Sequence, residues 1–179
     1  QMEVLLVAAK KDMVNDYSDI IRDAGLEPKV IDVDSFAVQN CYEANMGMTE
    51  EEEGTVIGLV NIGSDVTNIN IIQSMNPYFT RDINVGTNTF IEALQKELGV
   101  TYEEAQMIIK GNLENMDEER IKSIFTAKAA DLSLGIERSI SYLKAAGDSD
   151  RIDRVVLSGG GARIPFLKDI LSEKHNIEF

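Results

Sequence analysis

The sequence predicts an α/β fold built on a mixed sheet, and three observations carry that prediction. From residue 55 onward, three β-type segments follow one another with only short turns between them, which is typical of an antiparallel meander. Helical segments come next. A strand, a helix and the start of a further strand then alternate, and this order is typical of a mixed sheet covered by helices.

Composition narrows the class of protein. With 179 residues, 44% of them hydrophobic and 27% charged, the chain has the balance of a soluble globular protein with a real core. Its formal net charge of −14 disfavours nucleic acid and anionic membrane as partners. The single cysteine, Cys41, and the single histidine, His175, exclude an internal disulfide and a clustered cysteine–histidine metal site.

The amino-terminal part predicts two strands and two helices. The apolar run at 4–9 and the segment 28–33 have the composition of strands, and Asp12 and Gly25 are placed to begin and end a helix between them. A second helix begins at Asp34 or Ser35 and carries Cys41, which we expect to be a small core residue. No apolar run approaches the roughly 20 residues that cross a bilayer.

The remaining elements follow from periodicity and terminal signals. The meander strands are expected at 55–62, 66–72 and 78–85. Helices follow: one ends at Gly99, one begins with a capping box formed by Thr101 and Glu104, and one runs from about Glu118 to Ala146. The segment 154–158 is a strand that leads through three glycines into a helix opening at Pro165. The last residues begin another strand, and both termini look cut, so we expect a fragment.

Two glycine-containing loops are candidate ligand sites, because ligands of open α/β sheets bind beyond the carboxyl ends of the strands. The first, at 61–67, contains Gly63 and the hydroxyls of Ser64 and Thr67. A tight hairpin by itself explains Gly63 and Asp65, whereas it does not explain the two hydroxyls, which suit a phosphate. The second, at 158–163, has three consecutive glycines where one suffices for a turn. Together they predict two bends facing one shared nucleotide crevice.

These stretches resemble the actin-like ATPases, a ribonuclease H-like fold that includes actin, sugar kinases and bacterial FtsA. Members carry a phosphate hairpin of the form D-x-G-x-x-x-T and a later adenosine loop with adjacent glycines. The chain is most similar to the PilM family of type IV pilus assembly proteins, through residues 59–72, 79–111 and 154–171, with a further match at 4–38. The resemblance implies mostly a second lobe at 49–179, C-terminally truncated, with a helical insert at about 87–116. Residues 1–48 would be a remnant of the first lobe and its extra subdomain.

The resemblance also implies the site residues. Asn61, Gly63, Ser64 and Thr67 match the phosphate hairpin. The adenosine loop is matched by Gly159, Gly160 and Gly161, and Gln106 matches a helix that borders the nucleoside. The implied ligands are ATP and Mg²⁺, with no catalytic residue and no direct metal ligand assigned.

Three departures from the family pattern bear on these roles. Asn61 stands where the family has an aspartate that holds the water shell of Mg²⁺, so the charge is lost while an acceptor oxygen remains. Gln106 and Ile109 replace an acid and a lysine beside the nucleoside. The amino-terminal phosphate loop of the family is absent from the 179 residues.

Three functions are consistent with this pattern. In the first, the chain belongs to a cytoplasmic scaffold, peripheral to the inner membrane, that binds ATP and the cytoplasmic tail of a PilN-like protein, together with other pilus assembly proteins. In the second, the fold is a degenerate scaffold that no longer binds nucleotide. In the third, it is an active ATPase or kinase, for which no carboxylate here occupies a recognisable general-base motif. An incomplete first lobe, with the run at 4–9 as an unpaired strand, also predicts self-association.

Overall fold

The computed structural model describes residues 6–46, 54–74, 76–114, 116–146 and 151–179. Contacts between residues divide the chain into two compact units, Gln1–Val33 and Asp34–Phe179. The second unit contains the whole sheet. The boundary between these compact units does not test the predicted boundary between lobes near residue 48, which stays a prediction.

The first unit contains one helix, α1, at Lys11–Asp23. Its predicted end is confirmed, because Gly25 adopts a left-handed φ of 79° and its N–H donates to the Arg22 carbonyl at 2.8 Å. The two predicted strands are wrong: residues 6–9 and 28–33 have no strand conformation, while residues 4 and 5 lie outside the described residues. A strand needs a ladder partner, and apolar composition alone does not provide one. The strand on which the expected self-association depended is therefore not formed at 6–9.

The second unit is organised by a four-stranded mixed sheet. Its strands are β1 (Val56–Ile62), β2 (Thr67–Gln73), β3 (Asn76–Ile83) and β4 (Arg154–Ser158), in the spatial order β3-β2-β1-β4. The first three form the predicted antiparallel meander, and β4 pairs with β1 in parallel. The mixed α/β sheet is thus confirmed.

Helix α2 (Asp34–Met46) covers one face of this sheet. The ring of Tyr42 packs there with Ile57, Leu59 and Ile72. Asn70, only 1% exposed, lies on the same face and donates its side-chain amide to the Ser35 carbonyl and to Gln39 Oε1. Hydrogen bonding to α2 therefore satisfies a polar group that would otherwise be costly to bury. Cys41 is exposed on this helix, so the expectation that it is a core residue is wrong.

Four further helices build the main core on the opposite face. They are α3 (Thr87–Leu98), α4 (Tyr102–Ile109), α5 (Glu118–Ala146) and α6 (Leu167–His175). The bounds expected for α5 are confirmed, and so is the capping box of α4, in which the side chains of Thr101 and Glu104 bond reciprocally to backbone N–H groups. The largest fully buried side chains of this core include Phe90, Phe125, Leu94, Ile108, Ile121 and Leu132.

Helix α6 begins two residues later than expected. Gly160–Arg163 forms a turn of 3₁₀ helix, and Phe166 then adopts a left-handed φ of 65° before α6 starts at Leu167. Pro165 thus precedes the helix instead of opening it. The expected final strand is not formed as a strand; in its place a single bridge pairs Glu178 with Arg154 in parallel, and the Val155 N–H donates to the Glu178 carbonyl at 2.8 Å.

Within the described ranges, no helix combines the length and hydropathy needed to cross a membrane.

The single histidine lies in the last turn of α6. His175 Nε2 and Ser133 Oγ of α5 form a hydrogen bond of 2.7 Å, and the ring also lies near Phe179. Desolvation lowers the pKa of His175 below its ordinary 6.5; the charge of Glu137 raises it and that of Lys174 lowers it further, with a net lowering. Burial therefore outweighs the attraction of the Glu137 carboxylate for a protonated imidazole.

We expect His175 to make the fold less stable in acid. Because its folded-state pKa lies below the unfolded value, the unfolded state binds more protons, and stability is lost as the pH falls below about 6.5 toward the folded pKa. Urea unfolding at several pH values between about 5 and 8 would measure this. His175→Gln should show a smaller loss over that window than the parent; identical pH profiles would contradict the assignment.

Candidate nucleotide-binding site

The two glycine-containing bends lie side by side at the carboxyl ends of β1 and β4. The strands are parallel neighbours, and Asn61 pairs in register with Ser158. A Cβ atom built on Gly159 would lie 2.5 Å from the carbonyl oxygen of Ile62, so the glycine loop touches the start of the hairpin. The two bends therefore lie side by side, while the nucleotide crevice that they are expected to share stays a prediction. The binding roles of their residues stay predictions.

The three glycines of the second bend have different surroundings. Gly159 has a φ of 79° and contacts β1 directly, while a Cβ on Gly161 would fall 2.1 Å from Cγ2 of Ile62. Both positions thus require the absence of a side chain for internal packing. Nothing lies within 4 Å of a Cβ built on Gly160. Gly160 is therefore the glycine of this loop whose bare backbone faces open space.

The hairpin is closed by its own backbone and by the start of α3. The Gly63 N–H donates to the Val66 carbonyl at 3.0 Å. The first amides of α3, those of Thr87 and Asn88, donate to the carbonyls of Gly63 and Ser64, each at 2.9 Å. These N–H groups are among those that a helix leaves unsatisfied at its N-terminus, and here the hairpin satisfies them.

Thr67 does not present its hydroxyl to solvent. Its side chain is fully buried, and Oγ1 donates to the Val85 carbonyl at 2.7 Å. The hydroxyl therefore ties β2 to the segment that leads into α3. This geometry gives Thr67 a role in shaping the hairpin, and its expected contact with a phosphate stays a prediction.

Ser64 is exposed at the tip of the hairpin beside a carboxylate. Its hydroxyl donates to Asp65 Oδ2 at 3.0 Å, and the Asn88 side-chain amide donates to Asp65 Oδ1 at 2.8 Å. The bond from Asn88, and then that from Ser64, hold the pKa of Asp65 below its usual value. The negative side chain at the tip thus occupies two donors that a phosphate would also use.

A row of polar side chains crosses all four strands next to the bends. Asn61, Asn68, Asp82 and Ser158 occupy adjoining register positions on the sheet face that α2 covers further along. Ser158 Oγ donates to Asn61 Oδ1 at 3.3 Å, Asn61 Nδ2 donates to Asn68 Oδ1 at 3.2 Å, and Asn68 Nδ2 donates to Asp82 Oδ1 at 2.8 Å. The carbonyl oxygen of Asn61 consequently lies on the side of Ser158 and Gly159.

Gln106 lies apart from these contacts. It is half-buried on α4, and its side-chain amide donates to Tyr102 Oη at 3.1 Å on the same helix. Helix α4 packs against α3, the helix whose first amides bond to the hairpin. Its expected place beside a nucleoside stays a prediction.

Several residues of the site carry no distinguishing signal in the sequence. Asn68 and Asp82 follow from period-two alternation only once the strand register is known. Gly86 reads in the sequence as a helix boundary, yet a Cβ there would lie 2.3 Å from the Ser64 carbonyl oxygen. No sequence signal indicates that Asn88 reaches Asp65.

The described residues contain no group of three or more histidine, cysteine, aspartate or glutamate side chains that could hold a metal ion directly. The donor set at the bends, an amide oxygen and hydroxyls, fits a cation that keeps its water shell, as Mg²⁺ usually does.

The family model for type IV pilus assembly protein PilM matches residues 1–179. The chain belongs to this family. All 179 residues of the chain are matched, so the family assignment does not depend on the two bends alone.

Solved structures place the PilM fold among actin-like proteins. The chain is similar to a chain of the solved PilM–PilN type IV pilus biogenesis complex, with a TM-score of 0.78, 22% identity and 94% of this chain covered. It is also similar to the ethanolamine utilization protein EutJ of Carboxydothermus hydrogenoformans, at a TM-score of 0.66, 19% identity and 90% coverage. MreB5 of Spiroplasma citri bound to AMPPNP gives 0.68, 14% and 96%. The expected actin-like fold is thereby confirmed.

This chain spans about half the length of those structures, covering 47% of the PilM–PilN chain, 53% of EutJ and 60% of MreB5.

We expect alanine substitutions at Gly160 and Gly161 to differ sharply in their effect on stability. Gly161→Ala forces a methyl group into Ile62 and should lower the free energy of unfolding by about 2–3 kcal/mol. Gly160→Ala meets open space and should change it by less than about 0.5 kcal/mol. Chemical denaturation of both variants measures the difference, and equal losses at the two positions would contradict the packing described here.

Proposed function

We propose that this PilM-family chain contributes to a cytoplasmic scaffold, peripheral to the inner membrane, that binds ATP and a PilN-like tail during type IV pilus assembly. The observation that carries the nucleotide part is the adjacency of the Gly63 hairpin and the Gly160 loop at the carboxyl ends of β1 and β4. This is the position at which open α/β sheets bind ligands. The PilN part rests on the family membership and on the similarity to the PilM–PilN complex.

The open position of Gly160 supports a contact with a flat, bulky group. No atom lies within 4 Å of a Cβ built on Gly160, while the flanking glycines are packed directly against β1. A nucleoside can lie directly against such bare backbone. The similar MreB5 structures, one bound to AMPPNP and another to ADP, support nucleotide as the class of ligand.

Asn61 and Ser64 would serve the phosphates and their cation. Asn61 offers its carbonyl oxygen beside the glycine loop, and an amide oxygen accepts hydrogen bonds from water held by Mg²⁺. When bound, Mg²⁺ supplies neutralising charge for the phosphates. Because Asp65 already occupies the Ser64 hydroxyl, phosphate binding requires that this hydroxyl reorient.

We assign ATP a structural role. Hydrolysis needs a positioned general base or water-orienting group, and the carboxylates nearest the bends are engaged otherwise: Asp65 accepts from Ser64 and Asn88, and Asp82 accepts from Asn68. ATP binding would therefore stabilise the fold and organise partner surfaces without rapid turnover.

A degenerate scaffold without nucleotide is the alternative that a specific observation favours. The donors around the hairpin are satisfied internally: Ser64 by Asp65, Thr67 by Val85, and the first amides of α3 by hairpin carbonyls. A site that is already satisfied gains less from an added phosphate, because each new bond replaces an existing one. Direct measurement separates the two functions.

We expect titration of the full natural protein with Mg-ATP to give saturable binding, and Gly160→Val to weaken the affinity by at least about tenfold. The valine would occupy the space assigned to the nucleoside. Isothermal calorimetry measures the binding, and thermal unfolding verifies that the variant is folded. Ala127→Val, on an exposed part of α5, is the matched control and should bind as the parent does. Absence of binding by the parent would favour the degenerate scaffold.

We expect a peptide from the cytoplasmic tail of a PilN-like protein of the same organism to bind the full natural protein. Fluorescence anisotropy of the labelled peptide measures the affinity, and a peptide of identical composition in scrambled order is the control. Equal affinity for both peptides would contradict the PilN-tail role. Phosphoryl transfer from ATP to the peptide would instead indicate a kinase.

A further inference from the structure

The polar row across the sheet has hydrogen bonds that all run from donor to acceptor in the same direction, toward β3. Its hydrogen bonds join residues in register, from Asp82 on β3, through Asn68 on β2, to Asn61 on β1. Ser158 on β4 donates to the far side of Asn61 at 3.3 Å. An amide side chain has one donor end and one acceptor end, so the orientation of each asparagine determines the orientation of the next.

Asp82 fixes the direction of the whole row. An ionised carboxylate only accepts hydrogen bonds, so Asn68 must turn its NH₂ group toward β3. Its carbonyl oxygen then faces β1, and Asn61 must turn its own NH₂ group toward β2. The carbonyl oxygen of Asn61 is thereby left on the side of Ser158 and Gly159, with no freedom to exchange places with the nitrogen.

In the next polar row on the same face, the orientation of the asparagine follows from its contacts with α2. There the β3 residue is Thr80, whose hydroxyl donates to Asn70 Oδ1 at 3.2 Å. A hydroxyl can donate or accept, so Thr80 does not determine the orientation of Asn70, whose nitrogen is held by Gln39 Oε1 and the Ser35 carbonyl of α2. Asp82 can only accept, so of these two β3 residues it is the one that imposes an orientation on its partner, Asn68.

We propose that Asp82 is a positioning residue which, through Asn68, holds the carbonyl oxygen of Asn61 toward the glycine loop, where it accepts from the water shell of the divalent cation that accompanies a bound nucleotide. The cation part of this inference rests on the proposed function. The orientation part rests on the hydrogen bonds of the row alone.

This arrangement compensates for the absence of a charge at position 61. An aspartate there would present an acceptor in either orientation, whereas an asparagine presents one only if its amide is held in the correct orientation. Asp82 provides that orientation from two strands away. Its exposed side chain keeps the negative charge in solvent, where an ion is well hydrated.

The test compares four proteins with the parent: Asp82→Asn, Asn61→Asp, the double variant Asn61→Asp/Asp82→Asn, and Asp131→Asn. The side chain in Asp82→Asn has nearly the same shape, but it can both donate and accept a hydrogen bond and so no longer determines the orientation of Asn68. The double variant moves the carboxylate to position 61, where it needs no orienting partner. Asp131, exposed on α5, controls for the change in net charge.

The first readout needs no ligand. In ¹⁵N–¹H spectra the side-chain NH₂ resonances of Asn61 and Asn68 should move or broaden in Asp82→Asn and stay in place in Asp131→Asn. The Asn61 pair is assigned by its loss in Asn61→Asp. Unchanged Asn61 resonances in Asp82→Asn would overturn the inference.

The second readout is the ratio of ADP dissociation constants measured in EDTA and in Mg²⁺. Asp82→Asn should lower this ratio on the order of tenfold, as loss of an outer-sphere partner does, with the constant in EDTA unchanged. In the Asn61→Asp background Asp82→Asn should leave the ratio unchanged, whereas a purely structural role of Asp82 predicts a lower ratio in both backgrounds. An unaltered ratio in Asp82→Asn, with nucleotide bound, overturns this inference alone. Failure of the parent to bind nucleotide at all overturns both this cation role and the proposed nucleotide site.

Discussion

The parallel pairing of β4 with β1 is the constraint on which the site depends. These strands are far apart in sequence, and their register of Asn61 with Ser158 is what brings the two glycine bends together. The pairing in turn requires close contact, since Gly159 and Gly161 lie directly against Ile62. A side chain at either glycine would separate the strand ends and remove the polar row with them. Fold and site therefore share one set of contacts.

Much of the second unit was predictable because its signals are local. The meander strands, the capping box at Thr101 and the bounds of α5 follow from alternation, helix period and terminal residues, and the resemblance to actin-like proteins supplied the pairing of the bends. No strand forms at 6–9 or 28–33, where strands were expected, because strand formation depends on contacts that are not local. Their composition suits a sheet, but a strand requires a partner, and composition carries no information about partners.

The site shows the same limit at the level of side chains. The sequence does not distinguish Gly160 from Gly159 and Gly161, whereas the packing shows that Gly160 is open and that the other two contact β1. Thr67 matched a phosphate motif, but its hydroxyl is used inside the fold. The partnership of Asp82 with Asn61 depends on the register of three strands, which no single segment specifies.

The bonds between the hairpin and α3 have a mechanical consequence. Thr87 and Asn88 are fastened to the carbonyls of Gly63 and Ser64, and Gly86 lets the two segments touch. Helix α3 packs in turn on α4. Any displacement of the turn would therefore have to move the first turn of α3 or break these two hydrogen bonds, which couples the hairpin to the helix on which α4 packs.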